Sequence, residues 1–162
     1  RCSLADIPAG ASISSSRLDL FQTNCYGVAS CGWQWGNGQQ GYARVYRMSG
    51  PWGSGTPSGQ LAWDSGTLLA ERYFDMWWSG DRLDAPLRSF SGANLTSHVQ
   101  DVVSGTAPNY GLYVNFSTGV WGPVFASSRW SDPNFAPRLE VQWVADGVQL
   151  HPSTNVHSDG PG

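Results

Sequence analysis

Between residues 94 and 144 the spacing of apolar positions changes from helical to alternating. Leu95, Val99, Val102 and Val103 recur at helical spacing. Thr96 stands where a hydroxyl can accept from first-turn amides, so the pattern predicts a short helix near 96–104, capped by Thr96 and stopped by Gly105. After a polar turn with Pro108 and Asn109, residues 110–116 alternate Leu112, Val114 and Phe116 with Tyr113 and Asn115, as in a half-buried strand. A further strand is expected over 122–127. The clearest alternation sets Leu139, Val141 and Trp143 against Arg138, Glu140 and Gln142.

Upstream, residues 17–21 form a strand that turns Leu18 and Leu20 inward. Residues 42–48 alternate Ala43, Val45 and Arg47 with Arg44, Tyr46 and Met48, and an aromatic strand over 67–78 carries Glu71, Arg72 and Asp75 before Gly80. Gly-rich stretches separate these strands: 24–41 holds Trp33, Trp35 and Asn37, and 49–66 holds Trp52 and Trp63. One sheet cannot bury so many period-two faces. The expected fold is therefore all-β, an antiparallel two-sheet β-sandwich of jelly-roll type with one short helix. Its predicted core is Leu18, Leu20, Val45, Leu112, Val114, Phe116, Leu139, Val141 and Trp143, with Trp121 and one of Trp77 and Trp78 also packed inside. Residues 1–145 read as this single domain. Residues 146–162 read as a Pro/Ser/Gly-rich C-terminal tail with little to bury, held by some other contact.

Composition supports the fold and narrows the partners. A chain of 162 residues suits one domain, and 13% charged residues with 20 Gly and 10 Pro favour short strands and turns. A formal net charge of -3 and a pI near 5.4 argue against nucleic acid as partner. Every basic residue is arginine, which leaves guanidinium as the sole strong cation for recognising carboxylate or sulfate. No run approaches the ~18 apolar residues of a membrane helix, so membrane insertion is not expected.

Three cysteines leave an odd count. Cys25 and Cys31 lie close enough in a Gly/Ser-rich loop to close a small disulfide, which places the protein outside the reducing cytoplasm; a pair of free thiols is the alternative. Cys2 is left to an upstream segment or another chain.

Several short motifs recur in order. Ile7-Pro8-Ala9-Gly10-Ala11-Ser12-Ile13 precedes Ser16-Arg17-Leu18-Asp19-Leu20; Gly105 precedes Asn109-Tyr110-Gly111-Leu112; and Pro137-Arg138-Leu139 opens the closing strand. On these residues, over 4–21 and 94–144, the chain resembles the secreted bacterial and archaeal modules called DNRLRE domains, related to the family ninety-six carbohydrate-binding modules. Residues 22–93 depart from the family pattern and match it loosely around 42–52. The resemblance implies a non-catalytic extracellular module that holds a secreted or surface protein on a polysaccharide, with further strands upstream of Arg1.

Catalytic patterns are sparse. His98, His151 and His157 have no nucleophile–base–orienter spacing and no HExxH motif around them. Asp64, Glu71, Asp75 and Glu140 are the stock for a hydrolytic acid pair and read more simply as solvent-face residues. No cofactor is expected. Asp81, Asp84 and Asp132 sit in loops that could supply oxygen ligands to a structural calcium, although ordinary turn chemistry explains them equally well.

The nine tryptophans give the strongest functional signal. Indole faces stack on sugar rings while Arg, Asn and Gln bond hydroxyls, so the expected ligand site is Trp33 and Trp35 with Arg44 and Arg47. Opposite parity in one strand means that only one of the two arginines can share that patch. The competing expectation is a structural or adhesive subunit of an extracellular assembly, completed by partner strands at its sheet edges.

Overall fold

Cross-strand pairing of the alternating segments builds the architecture. The computed structural model describes residues 3–23, 40–52, 62–75, 87–116, 124–126, 132–145 and 154–157. In chain order these form β1 (Ser12–Thr23), β2 (Gln40–Met48), β3 (Trp63–Asp75), β4 (Leu87–Ser91), α1 (Ala93–Val103), β5 (Leu112–Phe116), β6 (Val124–Phe125), β7 (Arg138–Val144) and β8 (Thr154–His157). A 3-10 turn at Pro133–Phe135 precedes β7. One antiparallel sheet runs β4-β1-β7-β8, with β6 also paired to β1, and a second runs β3-β2-β5. Among the described residues the protein is mostly β, with one α-helix.

Register explains why the sheets pack on each other. Leu18 is flanked by Phe90 and Leu139 in the first sheet, and Val45 by Ala70 and Val114 in the second. Leu18, Leu20, Val45, Phe90, Leu139 and Val141 belong to one buried cluster, to which α1 adds Leu95 and Val99. Both apolar faces thus share a single core, the coarse form of a β-sandwich. Of the other residues expected in the core, Leu112, Val114 and Trp143 are half-buried against it. The side chain of Phe116 lies outside the described residues, as do Trp77, Trp78 and Trp121.

The helix corrects the expected cap. It starts at Ala93 with Gly92 at the N-cap, and no side chain caps it. Thr96 lies one turn inside, where its Oγ1 accepts from the backbone N–H of Ser16 in β1 at 3.2 Å. A threonine that reads locally as a cap instead ties helix to sheet. Gln100 makes the companion tie, accepting from Ile13 N–H at 2.8 Å and donating to Ala11 C=O at 3.1 Å. The helix ends as expected: Gly105 has φ 77°, a left-handed conformation that disfavours a Cβ, and its N–H bonds Val102 C=O at 3.1 Å.

Other boundaries also shift. β1 is longer than the expected 17–21, and β3 begins at Trp63 rather than at Thr67. Within the expected 122–127 strand, Val124–Phe125 pairs with β1; 122, 123 and 127 lie outside the described residues. β4 has no counterpart in the sequence reading. Within the expected tail, Thr154–His157 forms β8 and pairs with β7 from Arg138↔His157 to Val141↔Thr154. Part of that tail is therefore a strand of the first sheet, added along β7.

Candidate functional site

The parity of β2 divides its side chains between core and surface. Ala43 and Val45 turn inward and are fully buried, which sends Tyr42, Arg44 and Tyr46 to the outer face of the second sheet. Antiparallel partners project to the same side, so three rows form there. Tyr42 is opposite Tyr73; Arg44 lies between Glu71 and Asn115; Tyr46 is opposite Tyr113.

The aromatic rows differ in how much ring they present. Tyr42 and Tyr73 make an edge-to-face pair with centroids 5.3 Å apart, and they remain 41% and 47% exposed, which leaves ring surface for another molecule. At the other end of the face, β3 departs from regular register. Two shifts opposite Val45–Met48 set Trp63 across from Met48. Its ring centroid lies 4.7 Å from that of Tyr46 and 4.9 Å from that of Tyr113, so the indole roofs Tyr46, which is buried. Trp63 and Tyr113 stay half-exposed above it. Nearby, Trp52 is held by its Nε1–H donating to Tyr110 C=O at 2.6 Å.

Between the two aromatic groups lies the polar row. Arg44 Nε donates to Glu71 Oε2 at 2.7 Å, and the guanidinium carbon sits 5.7 Å from the centroid of Tyr42. The Glu71 hydrogen bond raises the Arg44 pKa above its ordinary value, with Tyr46 adding in the same direction against partial desolvation. Arg44 is thus cationic, neutralised locally and fixed beside a ring.

Arg47 has the opposite parity to Arg44, as expected within one strand, and it is paired at the start of β3. Its Nε and Nη2 bond Asp64 Oδ2 at 2.9 and 2.6 Å. Asp64 also accepts from Gly66 N–H at 3.0 Å and Thr67 Oγ1 at 2.9 Å, fastening the irregular start of β3. Arg47, then Thr67, then Gly66 lower the Asp64 pKa against a small opposing desolvation. Arg47 also lies near His98 of α1, where burial first, and then Arg47, push the imidazole pKa below its ordinary value against Asp101. This is a fastening at the helix end of the fold. Trp33 and Trp35 lie outside the described residues, as do Cys25 and Cys31.

No family model, curated protein or solved structure matches the chain. The arrangement of side chains is accordingly the basis for any reading of function.

Three of the four strand acids weighed for hydrolysis are engaged in ion pairs. Glu71 holds Arg44, Asp64 holds Arg47, and Glu140 Oε2 meets Arg17 Nη2 at 2.6 Å, next to an Arg17–Asp19 pair; the side chain of Asp75 lies outside the described residues. Asp132, one of three aspartates weighed for calcium, accepts from Asn134 N–H at 2.9 Å and opens the 3-10 turn. Asp81 and Asp84 lie outside the described residues.

The sequence reading placed Arg44 in a ligand patch but missed Tyr42, Tyr73, Trp63 and Tyr113 around it. One signal was available: Tyr42, Arg44 and Tyr46 share a parity that Ala43 and Val45 make outward. The cross-strand partners carried no such signal, because they depend on register between segments joined by long connections.

Proposed function

We propose that the chain is a non-catalytic carbohydrate-binding module of a secreted or surface protein. The proposed polysaccharide site is the outer face of β3-β2-β5. The same proposal takes the sandwich to be a jelly roll related to the DNRLRE modules, and it keeps the Cys25–Cys31 disulfide as part of an extracellular protein. The observation that carries it is the pair of exposed rings, Tyr42 and Tyr73, set beside the Arg44–Glu71–Asn115 row. Flat aromatic surface stacks on the apolar faces of pyranose rings, and the adjoining amide and charged groups bond hydroxyls at fixed positions. Each ring contact adds about 0.5–1.5 kcal/mol by analogy with aromatic pairs. One site of this kind binds modestly, and tight retention comes from several modules on one chain of sugar.

Retardation in native gels containing polysaccharide tests the proposal. Wild type is expected to be slowed by at least one glycan, and Tyr42→Ala with Tyr73→Ala to migrate freely while keeping the wild-type circular dichroism spectrum. A folded double variant that is still retarded moves the site elsewhere, and Trp33→Ala with Trp35→Ala, run beside it, reports whether those two residues carry it. Absence of wild-type retardation on every glycan overturns the proposal.

One observation favours the assembly reading. β8 adds to the edge of β7 through four residues, a strand addition that the same segment of a second copy could supply equally well. Concentration-dependent dimerisation in sedimentation velocity that disappears when 146–162 are removed would support that reading.

A further inference from the structure

Resting on the carbohydrate-binding reading, we infer that the ligand of this face is an uncharged oligosaccharide segment lying along β2, and that Arg44 orients hydroxyls rather than pairing with an acidic sugar. Two features of the face lead there.

The first is charge. Arg44 and Glu71 are the only charged groups among the described side chains at outward positions of β2, β3 and β5, and they are bonded to each other at 2.7 Å. The two are about equally open to solvent, at 40% and 35% side-chain exposure, so neither is screened from a ligand that reaches the other. A uronate or sulfate approaching the guanidinium meets the Glu71 carboxylate at nearly the same distance, and attraction and repulsion largely cancel. Displacing Glu71 does not help an acidic ligand either, because a freed carboxylate stays on the same face. A hydroxyl meets no such conflict. It can donate to Glu71 and accept from the Arg44 N–H groups that Glu71 and Tyr46 leave open, and a pre-formed pair presents both in fixed positions.

The second is length. Tyr42 and Tyr46 are four residues apart on one strand, so the Tyr42/Tyr73 group and the Trp63/Tyr113 group that roofs Tyr46 are separated by ~13 Å at ~3.3 Å per residue. That span exceeds any monosaccharide. An oligosaccharide that stacks at both ends crosses the Arg44–Glu71–Asn115 row in between, and this places the polar groups at the ring edges where sugar hydroxyls lie.

The experiment measures retardation of wild type and Glu71→Gln on neutral hydroxyethylcellulose and glucomannan and on acidic alginate and polygalacturonate, each at 20 and 500 mM NaCl. Wild type is expected to prefer a neutral glycan, with an apparent affinity that changes less than about twofold between the salt concentrations. Glu71→Gln leaves Arg44 unpaired and is expected to gain at least several-fold on an acidic glycan, with the gain lost at high salt. Calorimetry with soluble oligomers of the neutral glycan retained should show affinity rising at least tenfold between the disaccharide and a hexasaccharide. Wild-type preference for an acidic glycan, weakened by salt, overturns the inference but upholds carbohydrate binding. Equal affinity for disaccharide and hexasaccharide overturns the two-ended arrangement. If Glu71→Gln gains nothing on acidic glycans while neutral binding persists, Arg44 is not the group that sets charge preference and the inference fails. If no glycan retards wild type, the inference and the function beneath it fall together.

Discussion

His98 shows how one side chain carries both stability and its dependence on pH. In the folded chain burial and Arg47 disfavour its protonation relative to the ordinary value of 6.5, and Asp101 opposes them only in part. As pH falls below ~6.5, the unfolded chain therefore takes up the proton first, and protonation favours unfolding until the folded-state value is also passed. Above that range the imidazole is neutral in both states and contributes no slope. Chemical denaturation between pH 7.5 and 5 should show wild-type stability decreasing with pH, and His98→Gln should have a shallower decrease. An unchanged slope in the variant would assign the effect to other groups. Sequence gave no hint of this role, because the helical position of His98 was legible but the cation opposite it comes from β2. The same holds for Thr96, whose partner Ser16 lies 80 residues away in sequence.

At the scale of elements, what the sequence revealed depended on how regular each element was. The helix face was legible because Leu95 and Val99 obey its period, and both are buried. Strand β7 was legible for the same reason, with Leu139 and Val141 inward. β4 was not: LRSFS buries only Phe90, too little for an alternation to register. Gln100 is the polar counterpart of these apolar contacts, since a single amide satisfies two backbone groups in the stretch that enters β1. Gln100→Ala strips both partners at once and should cost about 1–3 kcal/mol in urea unfolding, the range for buried groups left without a hydrogen bond. A loss below about 0.5 kcal/mol would mean that water replaces the amide at both groups.

Across the whole molecule, two sheets over one core follow from alternation, but which strands lie side by side does not. The candidate face illustrates the limit. Its central strand was read correctly over 42–48, yet Tyr73 and Tyr113 reach it only through pairings of β2 with β3 and β5, and Trp63 only through the irregular start of β3. Two of the residues first expected to bind, Trp33 and Trp35, fall in a Gly-rich connection where no period acts as a guide. β8 raises a question of the same scale, because it protects the outer edge of β7. With β8 supplied by its own chain, removing 146–162 should expose that edge and increase self-association in light scattering, the opposite of the outcome for strand exchange between copies, with the far-ultraviolet circular dichroism spectrum largely retained. Unchanged scattering would show that the edge needs no cover.

The central position of β1 has a consequence for the order in which the chain can fold. Its neighbours are β4, β6 and β7, and the contact between Ser14 and Gln142 joins residues 128 apart in sequence. Synthesis releases β1 more than a hundred residues before β7, so that β1 can meet β4 first but must wait for β7 before its other edge is paired. Closing so large a loop comes before any contact rewards it, which puts folding in the slow, millisecond-to-second regime of non-local β topologies. Until then the edge of β1 that β7 covers is open, and a strand edge left open during folding is one that can pair wrongly.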